Sequence, residues 1–199
     1  MAQASLFADR GPRVLVEDDE GGIRYWPGFV EAPTAARWFA ELREAVDWRS
    51  ERRPMYDRVV DVPRLLAGYR LDGAEPLPQA LAEIADRVRR TLGTPFNHVG
   101  LNRYRDGNDS VAPHNDKLYS IVAPHPIALL SLGAERRMDI RGKQPPRSAI
   151  RIDLEPGSLL VMSHASQHHW DHGVPKTKAP VGERISLAFR VRPEGRRRW

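Results

Sequence analysis

Arg184-Ile185-Ser186-Leu187-Ala188-Phe189-Arg190 alternates with a period of two. Ile185, Leu187 and Phe189 share one face of an extended chain; Arg184, Ser186, Ala188 and Arg190 share the other. The pattern predicts a β-strand that is apolar on one side. Its second side is unusual, because arginine is rarely buried without a partner. Either the strand lies at a sheet edge with its arginines in water, or that face holds an anion. Paired guanidinium forks suit a dicarboxylate, since each can bind a carboxylate bidentately.

Working back from this strand, short apolar runs separated by turns recur as far as Gly93. Candidate strands are Asn97 to Tyr104, Ile127 to Leu132, Arg137 to Arg141, Ala149 to Leu154 and Ser158 to Met162. Asp106-Gly107-Asn108-Asp109, Glu155-Pro156-Gly157 and Pro180-Val181-Gly182 supply turns. Before Gly93 the period changes. Trp38, Leu42 and Val46 follow Pro33 at helical spacing, and Leu81, Ile84, Val88 and Leu92 follow Pro78. Val14-Leu15-Val16 and Ile23-Arg24-Tyr25 flank an acidic, glycine-ending run that reads as a hairpin. The stretch between the helices, with Arg52, Arg53, Met55, Tyr56, Tyr69 and Leu71, shows no clear period; it reads as a lid or as a packed connection. Many short strands after two helices point to an α+β, mainly β architecture: a sandwich or barrel with helices packed on one face. The chain divides into an N-terminal part, 1–94, with hairpin, helices and possible lid, and a β core, 95–199, as one integrated domain.

The 199 residues suit one domain, and no apolar stretch approaches a membrane span. With 0 Cys there is no disulfide, thiolate ligand or cysteine nucleophile, so any metal must be held by His and carboxylates. That composition, with no recognisable signal peptide, fits the cytoplasm, and a monomer is expected. A net charge of +5 favours polyanionic partners such as nucleic acid, though the excess is modest and part of it lies in Arg196, Arg197 and Arg198.

Among the 7 His, His114-Asn115-Asp116 is the informative pair. On an extended strand its outer residues face the same way and can reach one ion. Two imidazoles and one carboxylate leave about three positions open on octahedral iron. The third ligand must come from far along the chain, and His168-His169-Trp170-Asp171-His172 offers candidates, if it is not simply a polar loop.

Together these segments resemble the AlkB family of nucleic-acid dealkylating dioxygenases. Asn102-Arg103-Tyr104-Arg105-Asp106-Gly107 resembles the family's Asn-x-Tyr strand and turn, His114-Asn115-Asp116 its His-x-Asp, His169-Trp170-Asp171-His172 the segment ending in the distal histidine, and Arg184 to Arg190 its arginine strand. The likeness is clear from Phe96 to Arg192 and looser before that. It implies a double-stranded β-helix (jelly-roll) core holding Fe(II) with His114, Asp116 and His172. It also implies 2-oxoglutarate and O2 as cosubstrates, the distal carboxylate held by Arg184 with Asn102 and Tyr104, and Arg190 nearer the C1 end. The implied reaction hydroxylates an N-methyl group on DNA or RNA, giving succinate, carbon dioxide and formaldehyde. Tyr56, Tyr69, Leu71 and Lys117 are the candidate substrate contacts: Tyr69 fits a family position, Leu71 stands where an aromatic stacking residue is expected, and Tyr56 could help hold a base.

The chain also departs from the family. Ser186 and Ala188 stand where Asn and Thr are usual, and Lys117 and Leu118 where repair enzymes place acidic residues to meet the damaged base. An oxygenase acting on a protein or small molecule is therefore the second reading. A non-catalytic nucleic-acid-binding module is the third, and it has no use for the retained ligands and arginines. Arg52, Arg53, Arg58, Arg136, Arg137 and Lys143 are the candidates for phosphate contact.

Overall fold

The computed structural model describes residues 11–55 and 58–194. A hairpin, β1 (Arg13–Val16) and β2 (Ile23–Trp26), leads into α1 (Ala32–Ala45), which has proline in its first turn. Strands β3 (Arg49–Met55) and β4 (Arg58–Arg70) precede α2 (Gln79–Leu92). Gly93 ends α2 in the left-handed region, φ 60°, which glycine enters without a Cβ penalty. Next come β5 (His98–Tyr104), β6 (Val111–His114), a 3-10 turn over Leu118–Ser120, β7 (Ile127–Gly133) and β8 (Arg136–Gly142). The chain continues through β9 (Ala149–Leu154), β10 (Leu159–Met162), the single turn α3 (Ser166–His169), β11 (Trp170–Val174) and β12 (Arg184–Arg190).

The strands form two antiparallel sheets. The larger has the order β1-β2-β10-β7-β12-β5-β4-β3 and the smaller β6-β11-β8-β9. Two apolar layers follow from the alternation. Ile185, Leu187 and Phe189 of β12 join Val99, Leu101, Leu130 and Leu132 beneath Trp38, Leu42, Leu81 and Ile84 of the helices. The opposite faces of the same strands join Ile140, Ile152 and Val174 of the smaller sheet in a second cluster with Tyr25, Tyr104 and Leu129. Fully burying each Leu, Ile or Phe contributes about 1.5–3 kcal/mol, so the two layers fix the strand register. Tyr25 ties the sheets at one end, donating to the Asp153 carbonyl at 2.7 Å and accepting from the Glu155 amide at 3.2 Å. The helices are joined through Glu83, which accepts from Trp38 Nε1 at 2.8 Å and Arg37 Nη2 at 2.6 Å.

Two readings left open by the sequence are decided. β12 lies between β7 and β5, so its arginines do not line an edge. The stretch between the helices forms two paired strands, β3 with β4 from Arg49↔Leu66 to Met55↔Arg58, and β4 is held in turn by β5 from Leu65↔Arg103 to Arg70↔His98.

Candidate functional site

The inner face of β12 and the β6–β11 edge open on one cavity of about 860 Å³. It is lined by Asn102, Tyr104, His114, Asp116, His172, Arg184 and Arg190, every residue read from the sequence as ligand or cosubstrate holder. Tyr69 and Lys117 also line it. Leu71 does not: its side chain packs against the helical core cluster, while its amide donates to the Asn97 carbonyl at 2.8 Å. Tyr56 lies outside the described residues.

Backbone pairing brings the distant parts together. His172 on β11 stands opposite His114 on β6, with ring centroids 4.5 Å apart. Gly173 permits this approach, since a Cβ there would lie 2.9 Å from both the Val111 carbonyl oxygen and the Pro113 nitrogen. On the larger sheet Arg184 stands opposite Tyr104, and Ser186 opposite Asn102.

The two histidines differ. His114 is exposed on its edge strand and its Nδ1 faces the Ala112 carbonyl at 3.0 Å. A carbonyl only accepts, so the proton belongs on Nδ1 and Nε2 keeps its lone pair. His172 is buried; burial, with His114 adding to it, pushes its imidazole down to about 3, so the ring is neutral at neutral pH. Asp116 lies just past the end of β6 rather than on the strand. Burial works against its charge, but the Arg190 guanidinium beside it prevails and holds the carboxyl below its ordinary value. Arg190 donates from Nε to Asp116 Oδ2, from Nη2 to Oδ1 at 2.9 Å, and from Nη1 to the Ala188 carbonyl at 3.1 Å. Each of its three nitrogens thus has a protein acceptor, and the residue lines the same cavity as Arg184. As the side chains lie, no three His, Asp or Glu groups among the described residues are gathered at metal-ligand spacing. The set is nonetheless suited to a metal: neutral imidazoles are the ligating form, and an ionised carboxylate has about four lone-pair sites, of which Arg190 takes two.

Arg184 is the anomaly. It is 0% exposed, and burial pulls its guanidinium below the ordinary arginine range. Nη2 donates to Ser131 Oγ at 2.9 Å, while Nε and Nη1 have no hydrogen-bond partner. The Tyr104 ring lies 5.0 Å from its central carbon. A buried cation with unsatisfied donors on a cavity wall calls for an anion.

Residues the sequence reading missed complete the site. Arg64 Nε donates to Asn102 Oδ1 at 2.7 Å, which turns the amide NH2 away from Arg64. Gln167 Oε1 accepts the Asp116 amide at 3.0 Å. Neither has a local signal, since both act on residues far away in the chain. Of the phosphate-contact candidates, Arg136 is corrected outright: it is 3% exposed and spends its guanidinium on the carbonyls of Asp106, Asp109 and Pro175. Arg52 is exposed beside Asp61, Arg137 pairs with Asp139, and Lys143 donates to the Gln167 carbonyl. The side chains of Arg53 and Arg58 fall outside the described residues.

No described helix is long and apolar enough to cross a membrane. The family model for the 2OG-Fe(II) oxygenase superfamily matches residues 22–190. DNA oxidative demethylase ALKBH2 of Bos taurus is 34% identical over 173 residues, covering 76% of this chain and 62% of that protein. ALKBH2 of Mus musculus is 37% identical over 177 residues, covering 78% and 74%. The human alpha-ketoglutarate-dependent dioxygenase alkB homolog 3 is 33% identical over 185 residues, covering 83% and 64%. The chain thus spans under two thirds of the bovine ALKBH2 and human homolog 3 proteins. The structure of OsALKBH1 superposes with a TM-score of 0.61 at 16% identity, covering 91% of this chain and 100% of that one, a likeness of fold. The jelly-roll expectation is met by the paired antiparallel sheets and by that neighbour. This chain belongs to the 2OG-Fe(II) oxygenase superfamily and, within it, to the AlkB family.

Proposed function

We propose that the chain is an Fe(II)- and 2-oxoglutarate-dependent dioxygenase that removes N-alkyl groups from nucleic-acid bases, with damaged DNA as its main substrate. Arg184 carries the reading: a buried guanidinium with two unpartnered nitrogens on the wall of the cavity that holds His114, Asp116 and His172. In this reading those three residues hold the iron. Arg184, with the Asn102 amide and Tyr104, receives the distal carboxylate of 2-oxoglutarate. When bound, the metal and its cosubstrates supply the oxidation, in which dioxygen and 2-oxoglutarate give succinate and carbon dioxide and one oxygen atom enters a substrate C–H bond.

The chain's own contribution is placement and charge. Arg190 keeps Asp116 ionised, and the Ala112 carbonyl fixes the His114 tautomer. Hydroxylating an N-methyl group gives a hemiaminal that releases formaldehyde without further help. DNA is favoured because two of the relatives above are named DNA oxidative demethylases. We further take the enzyme to act as a monomer and in the cytoplasm, the latter in keeping with a chain of 0 Cys. A protein or small-molecule substrate is the second reading, favoured by Lys117 on the cavity wall where a carboxylate would suit a cationic base.

The test is formaldehyde release from single-stranded oligonucleotides bearing 1-methyladenine or 3-methylcytosine. Release that needs both Fe(II) and 2-oxoglutarate is expected. Succinate formation with no formaldehyde from either lesion would remove the nucleic-acid substrate and keep the oxygenase.

A further inference from the structure

Asp116 sits between two elements of regular structure. β6 ends at His114, and the 3-10 turn begins at Leu118, so no strand ladder holds the intervening residues. The Asp116 amide is held instead by a side chain from 51 residues further along, Gln167. Gln167 is 1% exposed, and a glutamine buried to that extent needs its own partners.

Those partners form a chain. Gln167 Nε2 donates to Ser166 Oγ at 3.2 Å, and the Ser166 hydroxyl donates to the Ser163 carbonyl at 2.7 Å. Ser163 Oγ accepts the Ser166 amide at 2.9 Å and donates to Asp18 Oδ2 at 2.6 Å. Asp18 Oδ1 accepts the amides of Glu20 and Gly22, closing the β1–β2 turn. Lys143 Nζ donates to the Gln167 carbonyl at 2.8 Å. Ser163, Ser166 and Gln167 are each at most 2% exposed. An apolar filling would stabilise the same space without such demanding geometry. What this polar relay adds is a fixed anchor for one loop amide.

We propose that Gln167 is a positioning residue for the metal centre, setting where the Asp116 carboxylate stands by holding its backbone. The inference rests on the reading of Asp116 as a metal ligand. Arg190 fixes the carboxylate at the side-chain end, and Gln167 fixes the main chain. Partners behind metal ligands typically alter metal affinity by about 10–100-fold when removed.

The test compares Gln167→Met, which keeps the volume and removes the acceptor, with Gln167→Glu, which restores an acceptor. Glu83→Gln serves as a control for general destabilisation, since it loosens the helix pair without touching the cavity. Co(II) alone is titrated calorimetrically, and exchange of the Asp116 amide proton is followed by NMR in the metal-free protein. Gln167→Met is expected to weaken Co(II) binding by about tenfold or more, and to speed Asp116 amide exchange. Gln167→Glu should recover most of both effects, and Glu83→Gln should show neither. Faster exchange with Co(II) affinity within twofold of wild type would overturn the positioning role. A wild-type chain that binds no Co(II) would strike the ligand assignment instead; unchanged amide exchange in Gln167→Met would then still refute the anchor.

Discussion

Replacing Arg184 with Met tests whether its unpartnered donors exist for a dicarboxylate. The substitution keeps an unbranched side chain and removes the charge. In the free protein it loses one bond to Ser131 and the contact with the Tyr104 ring. It also removes a buried cation with two unsatisfied nitrogens. The terms oppose each other, so the free variant should stay within about 1–2 kcal/mol of wild type. Ligand binding behaves differently. Two charge-assisted hydrogen bonds at about 1.5–3 kcal/mol each amount to about 3–6 kcal/mol, or about a 10²- to 10⁴-fold loss of 2-oxoglutarate affinity. The assay is thermal unfolding with Mn(II) and graded 2-oxoglutarate. At a hundred times its Kd a ligand stabilises by about 2.7 kcal/mol, a rise of about 5–10 °C for a domain of this size. Wild type should show that rise and Arg184→Met should not. 2-Oxobutyrate, which lacks the distal carboxylate, should fail with wild type too, and this arm holds even if the variant folds poorly. A full rise with 2-oxobutyrate, or a wild-type rise in a folded Arg184→Met, would refute the reasoning.

Ala at His114, Asp116 or His172 should abolish succinate formation, whereas His98→Ala and His125→Ala, both absent from the cavity lining, should retain most of it; equal losses at all five would undo the ligand set. Gly173→Ala places a methyl 2.9 Å from the β6 backbone, so the strands must part; turnover should drop at least tenfold by about 1.4 kcal/mol of misplacement, measured as initial rate at saturating 2-oxoglutarate. The metal-free protein should lose stability as pH falls, because His172 binds its proton at about 3 when folded and at 6.5 when unfolded. Between those values the unfolded state holds more protons, so the contribution is complete above pH 6.5 and declines by up to about 1.4 kcal/mol per pH unit below it. Denaturant unfolding of His172→Gln should show a shallower slope across that window, and an unchanged slope would exclude His172 as the cause.

Elements whose burial is written into a local period were legible; those made by a remote partner were not. The β12 strand declared one apolar face, and the structure gives that face to the helices and the other to the cavity. Both helices were legible for the same reason, their stripes returning at helical spacing. β4 was illegible because its order comes from β5: Pro63 and Gly68 interrupt any alternation, and the pairing Leu65↔Arg103 is not encoded within either segment. β6 has four residues, including Pro113, and exists as the edge partner of β11. The cavity residues were visible as residue types but not in their commitments. Arg190 was read as lying near a ligand's C1 end, and the structure adds that it holds Asp116, while Arg136 was offered for phosphate contact and is buried among carbonyls. In both cases the sequence carries a guanidinium, and only the fold decides whether its donors are spent. That distinction picks out Arg184: of the two arginines on the inner face of β12, Arg190 has a protein acceptor at each of its three nitrogens and Arg184 at only one. Unspent donors in a buried cavity mark where the protein leaves a partner to be supplied from outside, a stronger sign of a ligand than either arginine's presence in the motif.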